Sequence, residues 1–212
     1  MKEPRAVLFD FDGVLVDSEP VHHIAWSEAL APLGVSISAD VYLKQFTGIE
    51  DRGAIEWLAS ETPAHSFEAL WATFPRKQEL FLEHMLAEPL VPETSAKLLE
   101  QLKLEGYRLA VVSSSSSCEV WPILERNGLR HLFDLGVFAE DVTRKKPHPE
   151  PYRKALMAIG VQTALALEDS RPGMASATAA GCEVIQVTDV NRMAAQVREH
   201  LALGNPWPQG GG

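Results

Sequence analysis

The chain is poor in cysteine. Its two cysteines, Cys118 and Cys182, lie far apart and do not form the CxxC spacing of a zinc or redox site. Two cysteines also exclude the dense disulfide framework of small secreted domains. The cysteine content therefore predicts reduced thiols and a cytoplasmic protein.

The sequence also lacks long apolar runs and an excess of basic residues. The run before Asp10 is too short for the core of a signal peptide, and no later run reaches the length of a membrane span. The 19 Lys and Arg residues face 29 Asp and Glu residues, which gives a formal net charge of -10. Such a charge repels nucleic acids and anionic membranes. We therefore expect a soluble protein with a small-molecule partner and with neither a nucleic-acid nor a membrane partner.

The sequence does contain short, continuous apolar runs. They lie at residues 7–9, 109–112, 137–138, 165–167 and 184–187. Unalternating runs of this length indicate strands that are covered on both faces, as in a parallel sheet. Helical spacing follows the later runs, for example from Tyr152 to a C-terminal Gly160. The alternation predicts an α/β fold with a doubly wound, Rossmann-like parallel sheet.

One connection is much longer than an ordinary βα loop. Residues 19–88 separate the first predicted strand from the next core elements, whereas such loops usually have about 2–6 residues. Apolar residues recur at helical spacing through this interval. We therefore expect an α-helical domain at 19–88, inserted into a core made of residues 1–18 and 89–203. Residues 204–212 have the composition of a flexible tail.

Polar residues follow the predicted strands, at the edge where sites form in parallel α/β sheets. In chain order they are Asp10, Asp12, Ser113, Ser114, Lys146, Glu168 and Asp169. Several carboxylates at neighbouring strand ends repel one another unless a hard cation joins them. Oxygen-only ligation favours magnesium over zinc. The arrangement therefore predicts a Mg²⁺ site.

The same residues favour phosphoryl transfer. A carboxylate, with a reference pKa of about 3.9, is ionised at neutral pH and needs no base in order to act as a nucleophile. Its phosphoryl target needs neutralising charge, which Mg²⁺ and Lys146 would supply. Ser113, Ser114 and the backbone N–H groups that follow would hold phosphate oxygens. Asp12 would then serve as the general acid and base.

Each feature by itself has a simpler interpretation. A DxD pair also occurs at N-caps and in solvated turns, and a serine run also occurs in loops and at helix N-caps. A single lysine is usually a solvated surface residue, and Glu168 with Asp169 would serve as caps of the next helix. The combination favours a site, because each group falls in one order at the end of a predicted strand.

Four segments carry a resemblance to a known family. "DFDGVLVDSE", "LAVVSSSS", "KKPHPE" and "LALEDSRPGMASATAAG" resemble the successive motifs of the haloacid dehalogenase-like hydrolase superfamily. The insert resembles the cap of the subgroup that contains β-phosphoglucomutase and small sugar phosphatases. The resemblance implies that Asp10 is the nucleophile and Asp12 the acid and base. It also implies Mg²⁺ ligation by Asp10, the Asp12 backbone carbonyl and Asp169, with Glu168 as an additional acidic ligand.

The resemblance further points to substrate contacts in the insert. The candidates are His22, Gly48, Arg52 and Lys77. His22 aligns with a histidine that contacts the counterpart of Asp12, and Lys77 approximately matches a basic residue of the mutase cap. A surface role stays open for His22, and a solvated helix face stays open for Arg76 and Lys77.

The segment "TGIEDRG" departs from the mutase pattern. Asp51 stands where the mutase has an arginine that grips the distal phosphate, with Arg52 one place on. A mutase depends on that grip because its bisphosphate intermediate must turn over without being lost. The departure favours hydrolysis.

Three hypotheses follow. The first is a Mg²⁺-dependent phosphatase that hydrolyses a small phosphorylated metabolite, a sugar phosphate in particular, through an aspartyl phosphate. The alternative is a sugar-phosphate mutase of the β-phosphoglucomutase type. The third is a non-catalytic binding protein, against which the complete set of site residues counts. We expect a monomer or a weak homo-oligomer.

Overall fold

The structure is a computed structural model that describes residues 5–47, 49–87 and 90–203. Within these ranges the chain divides into two compact units. The first contains the described residues up to Asp17 and from Leu90 onward, and the second contains those from Ser18 to Ala87. The expected tail, residues 204–212, lies outside the described residues. A capping role for the second unit stays a prediction.

The first unit is built on a parallel sheet. The described residues form five strands: β1 (Ala6–Phe9), β2 (Arg108–Val112), β3 (Leu135–Val137), β4 (Leu165–Glu168) and β5 (Glu183–Gln186). Their order is β3-β2-β1-β4-β5, and each neighbouring pair is parallel. This architecture confirms the α/β prediction.

The position of a strand in the sheet explains how well its apolar sequence run predicts it. All residues of β1 and β4 are buried, as continuous apolar runs predict. The edge strands β3 and β5 are partly exposed. The third strand was predicted at residues 137–138, but the residues that pair with β2 are Leu135 to Val137. Phe138 instead precedes a short 3₁₀ helix, Ala139–Asp141.

Helices account for most of the remaining described chain. Those of the second unit are α1 (Glu19–Leu30), α2 (Ala39–Gln45), α3 (Asp51–Glu61), α4 (Phe67–Trp71) and α5 (Phe74–Ala87). Those of the first unit are α6 (Glu93–Leu104), α7 (Ser117–Arg126), α8 (Glu150–Ile159), α9 (Arg171–Ala180) and α10 (Val190–His200). Within the described ranges, none of these helices has the length and apolar character needed to cross a membrane.

Candidate active site

The sheet order brings three strand ends together. Phe9, the last residue of β1, pairs with Val111 of β2 on one side and with Leu167 of β4 on the other. Asp10, Ser113 and Glu168 therefore emerge at the same edge. The order of the sheet reverses around β1, and ligands of open α/β sheets bind at such a switch point.

Lys146 connects these strand ends. Its side chain is 6% exposed, and its Nζ lies 3.1 Å from Asp10 Oδ1 and 2.6 Å from Glu168 Oε1. The same Nζ donates to the carbonyl oxygen of Val112 at 2.9 Å. These three partners match the three donors of an ammonium group. Lys146 is therefore a buried cation that two carboxylates hold in place.

Burial and charge change the protonation of this pair. Burial raises the pKa of Asp10 well above its ordinary value, and the charges of Glu168, Asp12 and Asp169 add to the rise, although Lys146 opposes it. Burial alone would lower the pKa of Lys146, but the carboxylates of Asp10 and Glu168 outweigh it and raise that pKa. The ammonium is therefore charged at neutral pH, and additional positive charge nearby would favour the ionised form of Asp10.

Among the described residues, Asp10, Glu168 and Asp169 form a cluster suited to a cation. One carboxylate oxygen of each lies within 4.8 Å of the others. Partial burial and the charge of Glu168 raise the pKa of Asp169 to about 6. The donors are oxygens only, and Lys146 alone leaves this cluster with a surplus of negative charge. These properties fit Mg²⁺, which the three carboxylates would hold.

Gly13 leaves room for Asp169 in the turn after β1. Its φ is +71°, and a Cβ atom at this position would lie 2.2 Å from Asp169 Oδ2. Its N–H donates to the carbonyl of Val16 at 2.8 Å, which closes the turn. A side chain here would both strain the backbone and displace the carboxylate.

Replacement of Gly13 tests this arrangement. Gly13→Ala is expected to raise the Mg²⁺ concentration needed for half-maximal activity about 10-fold or more, because Asp169 must move. Gly128→Ala is the matched control, since Gly128 has a φ of +70° and nothing within 4 Å of a built Cβ. Both variants carry the strain of a left-handed alanine. Equal Mg²⁺ requirements in the two variants would contradict a role for Asp169 in metal binding.

The loop after β2 differs from the expected phosphate cradle. The N–H groups of Ser115, Ser116 and Ser117 donate to Ser113 Oγ, Glu119 Oε2 and Glu140 Oε1, respectively. These three N–H groups already have protein partners, and the expectation that they hold phosphate oxygens stays a prediction. Ser113 is buried and Ser114 is exposed, and their proposed phosphate contacts stay a prediction.

Ser115 is a site residue that the sequence pattern does not identify. Its hydroxyl donates to Asp12 Oδ2 at 2.8 Å, across 103 residues of chain. A run of five serines offers no signal by which to choose one of them. The contact orients the carboxylate that sequence analysis assigns to proton transfer.

A second unexpected contact involves Tyr152. The spacing of α8 identifies this residue only as part of an apolar face, yet its hydroxyl donates to Glu168 Oε1 at 2.6 Å. Burial, together with the charges of Glu168 and Asp10, raises the pKa of Tyr152 well above its ordinary value. The sequence indicates such a contact only through the general rule that a buried tyrosine hydroxyl usually has a hydrogen-bond partner.

In the second unit, Lys77 is not a solvated residue. Its side chain is 1% exposed, and its Nζ lies 3.2 Å from each carboxylate oxygen of Asp51. The indole of Trp26 donates to Asp51 Oδ1 at 2.9 Å. The solvated-face interpretation is therefore wrong for Lys77, whereas Arg76 is exposed and pairs with Glu79. Asp51 compensates the charge of Lys77 within this unit.

The other candidates of the second unit have partners of their own. Arg52 is exposed, pairs with Glu56 at 3.1 Å and lies 4.8 Å from the ring centroid of Phe67. The ring of His22 stacks on Phe81 with a centroid distance of 4.0 Å. Gly48 lies outside the described residues. Substrate contacts by these residues stay a prediction.

Known proteins share both the sequence motifs and the fold. The sequence pattern of the haloacid dehalogenase-like hydrolases matches residues 7–187. The phosphorylated carbohydrates phosphatase of Thermotoga maritima is 30% identical over 187 residues, which cover 85% of this chain and 83% of that protein. The structure of CbbY from Rhodobacter sphaeroides in complex with xylulose-(1,5)bisphosphate has a TM-score of 0.72 and 29% identity, with 87% of each chain covered.

A further solved structure shares the fold. The putative β-phosphoglucomutase of Thermotoga maritima has a TM-score of 0.74 at 24% identity and covers 92% of this chain and 99% of that chain. Sequence motifs, fold and site geometry agree. The chain therefore belongs to the haloacid dehalogenase-like hydrolase family, as an enzyme of its phosphatase type.

Proposed function

We propose that this enzyme is a Mg²⁺-dependent phosphatase that hydrolyses a small phosphorylated metabolite, a sugar phosphate in particular. The main support is the group formed by the buried side chains of Asp10, Lys146 and Glu168 and the exposed Asp169 at one edge of the sheet. The likeness to a phosphatase of phosphorylated carbohydrates supports the substrate class. The cytoplasmic location inferred from the sequence stays a prediction.

The chemistry requires two displacements at phosphorus. A carboxylate oxygen of Asp10 attacks phosphorus, and the bond to the leaving alkoxide breaks as Asp12 gives the alkoxide a proton. Asp12 then takes a proton from water, which attacks the aspartyl phosphate, releases inorganic phosphate and regenerates Asp10. Mg²⁺, when bound, supplies positive charge that favours ionised Asp10 and neutralises phosphate oxygens.

Lys146 and Ser115 have distinct parts in this scheme. The Lys146 ammonium provides a fixed positive charge beside Asp10, where negative charge moves during the attack. The Ser115 hydroxyl donates to one oxygen of Asp12 and orients this carboxylate for proton transfer. Both contacts exist before substrate binds, so little reorganisation is needed during the reaction.

A sugar-phosphate mutase is the second candidate, which the fold of a putative β-phosphoglucomutase supports. The Asp51 carboxylate disfavours it. Asp51 occupies the expected position of the distal-phosphate arginine, and it neutralises the buried Lys77. Because its charge is already compensated by Asp51, Lys77 has no surplus positive charge with which to hold a second phosphate group.

A phosphate-release panel tests the proposal. The purified protein is incubated with sugar phosphates, nucleotides and pyrophosphate in the presence of Mg²⁺, and inorganic phosphate is measured. We expect release from one class of small phosphate ester, and we expect EDTA to abolish it and added Mg²⁺ to restore it. Full activity in EDTA would contradict the metal requirement. Interconversion of glucose 1-phosphate and glucose 6-phosphate without phosphate release would favour the mutase.

A further inference from the structure

A buried hydroxyl beside the site has no part in the proposed chemistry. Tyr152, on α8, is fully buried in the core formed by apolar residues of the sheet and of α8. The surrounding packing fixes the position of its ring. Its hydroxyl donates to Glu168 Oε1 at 2.6 Å, a short hydrogen bond to a side chain that is also fully buried.

Glu168 is held at both of its carboxylate oxygens. Oε1 accepts from Tyr152 and from Lys146, each at 2.6 Å, and Oε2 accepts from Ser170 Oγ at 3.3 Å. Gly173 backs the carboxylate so closely that a Cβ atom there would lie 1.9 Å from Oε2. The hydrogen bonds from Tyr152 and Lys146 therefore determine the orientation of the Glu168 carboxylate, and the backbone at Gly173 limits its movement in one direction.

Tyr152 also affects Lys146. The Lys146 Nζ lies 5.4 Å from the centroid of the tyrosine ring and shares the Glu168 Oε1 acceptor with the hydroxyl. Loss of the hydroxyl leaves Lys146 as the single short donor to that oxygen. The carboxylate can then rotate and take the ammonium with it, away from Asp10.

From this geometry we propose that Tyr152 is a positioning residue that orients Glu168 for Mg²⁺ and, through the shared oxygen, Lys146 for Asp10. The inference rests on the proposed function, because it assigns Tyr152 to the metal-holding side of that site. Groups that orient metal ligands typically change metal affinity or activity about 10–100-fold when they are removed.

Tyr152→Phe tests the proposal because it removes the hydroxyl and keeps the ring. Mg²⁺ binding to substrate-free protein is measured by calorimetry, and phosphate release is measured at saturating Mg²⁺. We expect a Mg²⁺ dissociation constant raised about 10-fold and a lower kcat. We expect little change in KM, because Tyr152 touches the ligands and not the ester.

Tyr107→Phe is the matched control. Tyr107 is also a buried tyrosine of the first unit, but its hydroxyl accepts from Arg5 at 3.1 Å near the start of β2, at the end opposite Ser113. We expect this variant to keep the Mg²⁺ affinity and kcat of the parent. Thermal unfolding of both variants without Mg²⁺ separates a loss of stability from a loss of positioning.

A double-mutant cycle tests whether Tyr152 acts through Glu168. Glu168→Gln alone and Glu168→Gln with Tyr152→Phe are expected to have the same Mg²⁺ affinity, because the second change has no carboxylate left to orient. Independent, additive losses would overturn the proposal. So would a Tyr152→Phe protein that melts earlier but retains the parent's Mg²⁺ affinity and kcat.

Failure of the proposed function has a different signature. If the proposed function is wrong, the parent protein itself does not bind Mg²⁺ in the same titration. In that case the inference about Tyr152 is wrong as well. A parent that binds Mg²⁺ and releases phosphate, together with an unaffected Tyr152→Phe variant, overturns the inference alone.

Discussion

Asp10→Asn is expected to abolish turnover and leave the protein folded. Amide and carboxylate have nearly the same shape, but the amide cannot form the covalent phosphoryl intermediate. We expect phosphate release to fall about 10⁴-fold or more, as when central catalytic groups are removed from other enzymes. The measurement is phosphate release from the best substrate of the panel, with Mg²⁺ at saturation.

The stability of this variant gives a second, independent outcome. The pKa of Asp10 is raised well above its ordinary value by burial and by neighbouring carboxylates. An acid whose pKa is higher in the folded protein than in the unfolded chain lowers the stability of the fold as the pH rises from its unfolded pKa, and the full penalty is present above its folded pKa. Asp10→Asn removes this penalty, so in Mg²⁺-free buffer we expect unfolding at the parent's temperature or above it.

Asp40→Asn provides the control for both measurements. Asp40 is an exposed aspartate of α2 whose carboxylate pairs with Lys44 on the surface. We expect it to retain the activity of the parent. Substantial phosphate release by Asp10→Asn, under conditions where this control is fully active, would refute the nucleophile assignment.

Lys146→Met is expected to have the second large effect, on stability as well as on activity. The substitution keeps the length of the side chain and removes the charge that pairs two buried carboxylates. Breaking a buried ion pair on one side usually costs about 3–5 kcal/mol, because the remaining charge has no partner. We expect a loss of this size in the free energy of unfolding in EDTA, measured by denaturant titration.

Activity should also fall, since a fixed positive charge next to the transferred phosphoryl group is lost. Removal of one electrostatic contact of this kind typically lowers kcat about 10²–10³-fold. Lys97→Met is the control, because Lys97 is a partly exposed lysine of α6 that pairs with Glu93. Such surface changes usually stay within about 0.5 kcal/mol.

A double variant decides whether unpaired charge is the cause. Lys146→Met combined with Asp10→Asn should be more stable than Lys146→Met alone, because one of the two unpaired carboxylates is gone. Equal stability of Lys146→Met and the parent would mean that the pairing of Lys146 with Asp10 and Glu168 does not stabilise the folded protein.

The sequence alone determined the fold class and the acidic cluster at the ends of β1 and β4. Continuous apolar runs identify buried parallel strands, and parallel strands place their carboxyl ends at one edge. For this reason Asp10, Glu168 and Asp169 were predicted to lie together, and their oxygens do. The third strand was read less well, because an edge strand need not be apolar throughout.

The tertiary structure alone decided which partners the polar groups have. Tyr152 and Glu168, Ser115 and Asp12, and Lys77 and Asp51 are separated by 16, 103 and 26 residues, respectively. Local periodicity reports which face of an element is buried, but not which atom of another element meets it. From the sequence pattern, Tyr152 is therefore interpreted as an apolar residue and Lys77 as a surface residue. Only the packed structure shows the acceptors of their hydrogen bonds, Glu168 and Asp51.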